Sequence, residues 1–136
     1  MMPLNASLAV LLGLTVNGTE EFLPGSRTRF CTLKLALEHV NERNATIVPE
    51  LANLTTGFFM NYTLLDTRLN TQRAVDLLMN YLFDSRELVA DGVARAVLGP
   101  MVSRIAKPTA LLAGAEKVPM VSYRASASEL VQLLRL

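Results

Sequence analysis

The chain is poor in the residues that build reactive centres. One cysteine and one histidine stand among 136 residues. A single cysteine excludes an intrachain disulfide framework and a cysteine-rich zinc site. A single histidine leaves no His-cluster metal site and none to spare for a triad. Excess charge of one sign is also lacking. Thirteen Lys and Arg against 12 Asp and Glu leave a formal charge of +1, which argues against a nucleic-acid surface, because that needs clustered cations. The apolar run near the start, Leu8–Val16, falls far short of the roughly 20 residues a membrane helix needs. No Gly-x-Gly-x-x-Gly, no phosphate-binding lysine loop and no Gly-x-Ser-x-Gly occurs, so dinucleotide, P-loop and hydrolase chemistry have no motif to stand on. No enzyme activity, cofactor or metal is expected.

What is present is an apolar chain with an unusual number of one tripeptide. Hydrophobic residues make up 51% and charged residues 18%, which excludes intrinsic disorder, and the length suits one domain. Asn-x-Ser/Thr occurs at Asn5, Asn17, Asn44, Asn53 and Asn61. This composition gives about one such triplet by chance. The excess points to glycosylation and to a secreted or luminal surface. Residues 1–18 read in two ways. One is a buried first strand; the other is a signal peptide, although no Lys or Arg precedes the apolar centre and no small-x-small cleavage site follows.

Short apolar runs alternate with helical periodicity. Strands are expected over about 8–16, 58–66, 94–98 and 118–123. Helices are expected over about 27–43, 71–83 and 104–116. In the first helix Phe30, Leu33, Leu37 and Val40 recur at helical spacing on one face, with Ser26 as its cap and His39 on the opposite, solvated side. Asn70 or Thr71 opens the second helix, where Ala74, Leu77, Leu78, Tyr81 and Leu82 form an amphipathic stripe. Residues 84–92 read as a polar loop. The order β-α-β-α-β-α-β implies an α/β fold with a parallel sheet and right-handed crossovers.

Ligands bind such sheets at the loops leaving the carboxyl ends of the strands, here about 17–25, 66–70, 99–104 and 123–128. Asp66 at a strand end most simply makes a turn. Gly99-Pro100-Met101-Val102-Ser103 leads from a strand into a helix, whose amino end favours a carboxylate or phosphate. Ser103 there is either a ligand donor or a helix cap. Ser122-Tyr123-Arg124-Ala125-Ser126 offers hydroxyls and amides beside it. Pro108 disfavours a helix starting at Arg104, because it lacks an N–H and crowds the carbonyl one turn back. A start near Ala106 would avoid that conflict.

Residues 94–130 carry a family likeness. Val97-Leu98-Gly99-Pro100, Val118-Pro119-x-Val-Ser-Tyr and Ala125-Ser126-x-x-Glu-Leu resemble the extracellular ligand-binding region of class C G-protein-coupled receptors and receptor guanylate cyclases. Ala36-x-x-x-Val40-Asn41 and Leu65-Asp66-Thr67 are similar to that region's first helix and second strand end. The resemblance implies part of the first lobe of a type I periplasmic-binding-protein-like fold, incomplete over residues 1–136. It implies a small-molecule ligand, an amino acid or another carboxylate, held by Ser103, Arg124, Ala125 and Ser126 and enclosed by lobe closure. Arg124 stands where the glutamate-type receptors carry serine. The resemblance further implies a membrane receptor, through segments beyond these residues, with its ligand site on the extracellular or luminal side of the plasma membrane, and a receptor dimer. Two other readings fit the residues: a soluble solute-binding protein, and a flavodoxin-like enzyme or regulator.

Overall fold

A computed structural model of the chain describes residues 5–53 and 59–123. Four strands form one parallel sheet: β1 (Asn5–Leu12), β2 (Phe59–Asp66), β3 (Ala94–Leu98) and β4 (Met120–Val121), in the order β2-β1-β3-β4. Helix α1 (Ser26–Glu42) and a 3-10 turn (Pro49–Asn53) link β1 to β2. Helices α2 (Thr71–Asp84) and α3 (Arg86–Ala90) link β2 to β3, and α4 (Ser103–Ala115) links β3 to β4.

The central strand has two buried sides, as a parallel sheet covered on both faces requires. Ala9 and Leu11 of β1 join Leu65, Val97, Leu78, Leu82 and Ala113 in one cluster, which places α2 and α4 on that face. Val10 and Leu12 point to the other face, toward α1. Each buried leucine contributes about 2 kcal/mol relative to exposure. Tyr81 reaches through the cluster, and its hydroxyl meets the Ser7 hydroxyl at 2.7 Å, so both buried polar groups are satisfied. The Arg95 guanidinium lies almost buried and donates to the Leu82 carbonyl and the Ser85 hydroxyl, both at 3.0 Å, tying β3 to the end of α2.

Several elements differ from the sequence reading. The first strand spans Asn5–Leu12 rather than 8–16. Beyond Leu12 the amides of Leu14 and Thr15 are drawn to the Asp66 carboxylate and leave the ladder. Thr15 then pairs with Phe22 in an antiparallel bridge. Ser26 does not cap α1: Gly25 holds the cap position at φ 75°, and the Ser26 hydroxyl lies 2.8 Å from the Leu14 carbonyl and 2.7 Å from that of Leu23. Only Leu37 of the α1 stripe is buried, and His39 is half-buried rather than solvated. The expected polar loop contains α3, whose single turn and a half is too short to show a period. Asn70 opens α2, its side chain accepting from the Arg73 amide at 2.8 Å.

Helix α4 begins at Ser103 and runs through Pro108. The carbonyl that loses its donor is that of Arg104, an exposed residue open to water. The face carrying Ile105, Ala106, Thr109, Ala110 and Ala113 is buried, so burial outweighs the missing hydrogen bond. Strand β4 is two residues long rather than 118–123. Pro119 has no N–H for the ladder, although its carbonyl accepts from Val97 at 2.9 Å.

Candidate functional site

The carboxyl ends of the strands are stitched together by side chains. Asp66, last in β2, accepts from the Leu14 amide at 2.9 Å, the Thr15 hydroxyl at 2.6 Å and the Arg68 amide at 3.1 Å. Burial pushes its carboxyl up, but these hydrogen bonds outweigh burial and hold it below the ordinary carboxylate value. Asp66 therefore makes the turn expected of it and also anchors the loop after β1. The Ser122 hydroxyl donates to the Pro100 carbonyl at 2.9 Å, joining the loop after β4 to the loop after β3. Gly99 between them has φ 94°, and a Cβ there would stand 2.3 Å from the Leu11 carbonyl oxygen. Only glycine allows this approach of the β3 loop to β1.

In an open parallel sheet the crevice for a ligand lies where the chain leaves two neighbouring strands in opposite directions. In this sheet that point falls between β1 and β3, because β1 continues to β2 on one side and β3 to β4 on the other. A groove of about 430 Å³ opens there, within the range of small-ligand sites. Val10, Leu12 and Leu98 give it apolar walls. Helix α1 contributes Thr28, Arg29 and Thr32, and Tyr123 lies at the end beside the β4 loop. Burial raises the Tyr123 phenol above its ordinary value, against the opposing field of the Arg29 guanidinium. The groove thus combines one cation and three hydroxyls with an apolar lining.

Of the residues singled out from sequence, Ser103 is the first residue of α4, half-buried, at the carboxyl edge. The cap position belongs to Val102, without a side-chain hydrogen bond, so Ser103 is not the helix cap. Arg124, Ala125 and Ser126 lie outside the described residues. Tyr123 belongs to the 122–126 loop that the sequence points to, whereas Thr28, Arg29 and Thr32 of α1 lie outside every loop expected to hold the ligand. The available signal was Thr28 and Thr32, one helical turn apart, beside the apolar stripe of α1. Asn5, Asn17, Asn53 and Asn61 are exposed, and Asn44 is half-buried. Asn17 sits at the carboxyl edge, in the turn Val16–Thr19 of the loop after β1. The other four lie toward the amino edge of the sheet or along β2. Among the described residues no three His, Cys, Asp or Glu are grouped to hold a metal, and no helix is long and apolar enough to cross a membrane.

Neither a family model nor a curated protein sequence matches the chain. Solved structures do. The branched-chain amino acid transporter substrate-binding protein LivJ from Streptococcus pneumoniae, solved with isoleucine, superposes at a TM-score of 0.68 and 17% identity, over 94% of this chain and 31% of its own. The leucine-binding protein LivK from Thermotoga maritima gives 0.57 and 21%, over 93% of this chain and 30% of its own. An ABC transporter substrate-binding protein from Desulfitobacterium hafniense gives 0.56 and 14%, over 94% and 31%. The chain spans about a third of the length of these structures. At such identities the likeness speaks for fold, and the four-stranded parallel sheet with its flanking helices matches part of a lobe of the type I periplasmic-binding-protein-like fold.

Proposed function

We propose that the chain is the first-lobe part of an extracellular ligand-binding region, holding a small amino-acid-like carboxylate without catalysing a reaction. The observation that carries this reading is the groove between β1 and β3, where Arg29, Tyr123 and two threonines stand over apolar walls. A guanidinium and hydroxyls suit a carboxylate, and Val10, Leu12 and Leu98 suit an aliphatic body. Ser103 stands at the same carboxyl edge, and Arg124, Ala125 and Ser126 join the proposed site through the class C likeness of the sequence. The second lobe closes over the ligand and shifts a two-state equilibrium. The receptor context rests on the class C likeness of residues 94–130. The five sequons support an extracellular or luminal setting with glycans at Asn5, Asn17, Asn44, Asn53 and Asn61. Membrane anchorage by further segments and receptor dimerisation follow from the same likeness. A soluble solute-binding protein is the second reading, favoured by the transport-type proteins that share the fold.

The test is calorimetric titration of the full chain with L-glutamate, L-leucine and L-isoleucine. At least one is expected to bind. Ser103→Ala and Arg29→Ala are each expected to weaken it about tenfold, which is about 1.4 kcal/mol for a lost hydrogen bond to charge. Unchanged affinity in both variants, or binding of none of the three by a folded chain, rejects the site.

A further inference from the structure

Among the described residues the sheet ends in β2 on one side and in the two-residue β4 on the other, and the long edge, β2, is unusually bare. Its window Phe59-Met60-Asn61-Tyr62-Thr63-Leu64-Leu65 has no charge, no proline and no glycine. That is the composition of a segment prone to pair with another chain. Edges of this kind are ordinarily defended by lysine, proline or a bulge, and none of these occurs before Asp66. Among the described residues, only the two ends are guarded. At one end the Asn41 side chain takes the place of a neighbouring strand: its amide donates to the Met60 carbonyl at 2.9 Å and its oxygen accepts from the Met60 amide at 2.8 Å. At the other, Arg73 donates to the Asp66 carbonyl at 2.8 Å. Backbone groups alternate in direction along a strand. Since Met60 faces outward, Tyr62 and Leu64 do too, and among the described residues nothing meets their amides and carbonyls. The side chains of Phe59 and Tyr62 are exposed as well, at 46% and 37%.

Asn61 lies inside this unguarded window, exposed, and Thr63 completes its sequon. We infer that an N-linked glycan on Asn61 is the gatekeeper of the β2 edge, keeping the strand from adding to the sheet of a second copy of the chain. The inference rests on the exported, glycosylated setting proposed above. A glycan is bulky and hydrated; anchored in the middle of the open window, it denies a second strand the approach that ladder hydrogen bonds require. The other described sequon asparagines lie elsewhere. Asn44 follows the end of α1, Asn17 occupies a turn, and Asn53 ends the 3-10 turn. Asn5 starts β1, a strand paired on both sides.

The experiment expresses the full chain in a eukaryotic secretory host. Peptides are mapped after enzymatic deglycosylation in heavy-oxygen water, and oligomeric state is read by size exclusion with light scattering. Asn61 is expected to carry glycan and the parent to elute as a monomer. Asn61→Gln is expected to shift to dimers and larger species, whereas Asn44→Gln stays monomeric. Asn61→Lys, which places a charge in the window without a sugar, is expected to remain monomeric. Glycan removal from the already folded parent covers the case in which Asn61→Gln fails to fold, and it is expected to produce the same association. An unmodified Asn61, or a monomer after both Asn61→Gln and native deglycosylation, overturns the inference. If Asn5, Asn17, Asn44 or Asn53 is modified while either of those outcomes holds, the gatekeeper alone is rejected; if no asparagine is modified, the glycosylated setting falls with it.

Discussion

Asp66 is a carboxylate engaged on several sides, and its chemistry makes a pH test possible. The Thr15 hydroxyl and the amides of Leu14, Thr15 and Arg68 all reach it. These groups favour the charged form more than burial penalises it, so the folded-state value lies below the unfolded one near 4. A depressed carboxylate contributes stability that is full above the unfolded value and is lost as pH falls through the folded value. Urea denaturation is therefore expected to show stability declining below about pH 4. Asp66→Asn is expected to cost about 2 kcal/mol at neutral pH, the scale of a charge-assisted hydrogen bond, and to flatten the acid limb. An acid limb equally steep in the variant would show that other carboxylates govern it. The same residue marks what sequence could reveal at this scale. Asp at a strand end signalled a turn, but its grip on Leu14 and Thr15 joins residues 51 or 52 positions apart and leaves no local pattern. Arg29 was hidden for a similar reason: a cation beside an amphipathic stripe looks solvated until the sheet is placed beneath it.

Helix α4 is the element where local and tertiary preferences conflict most. Proline inside a helix costs about 3 kcal/mol against alanine, and Pro108 stands six residues into α4. Removing proline also frees the unfolded chain, which offsets the gain by about 1 kcal/mol. Pro108→Ala is thus expected to stabilise the fold by about 2 kcal/mol, read as a higher urea midpoint at unchanged slope. No gain would mean that Pro108 contributes packing that alanine loses. The sequence conflict was legible here, but its resolution was not, because burial of Ile105, Thr109 and Ala113 depends on α2 lying alongside. Helix α2 was read closely, its stripe and its Asn70 cap both being local signals. Hydropathy misplaces the first strand because both its faces are buried. A strand without polar alternation gives no register, so its end had to be set by Asp66 rather than by hydropathy. For the site, the loops after β3 and β4 were visible as turns following apolar runs, whereas the groove required knowing that β1 and β3 are neighbours.

At the scale of the whole molecule, the two faces of the sheet are covered unequally, and stability should follow that asymmetry. On one face α2 and α4 pack on each other and on Leu11, Val97 and Leu65. On the other, α1 is the one helix among the described residues; only Ser26 and Leu37 of its 17 residues are buried, and the groove opens beneath it. Strand β1 is paired on both sides over much of its length, β2 on one, and β4 through two residues. Amides open for exchange in cooperative units ranked by burial and pairing. Hydrogen exchange on the full chain is therefore expected to protect the β1 amides of Ala9–Leu12 longest, followed by α2 and the buried face of α4. Helix α1 is expected to exchange before α2 although it is the longer of the two. A ligand seated against Arg29 and Thr32 would slow α1 selectively, since Thr28, Arg29, Thr32, Leu33 and Ala36 of α1 line the groove. Slow exchange of α1 in the free chain, equal to that of α2, would show that the α1 face is already closed and would remove the groove as an entry for ligand.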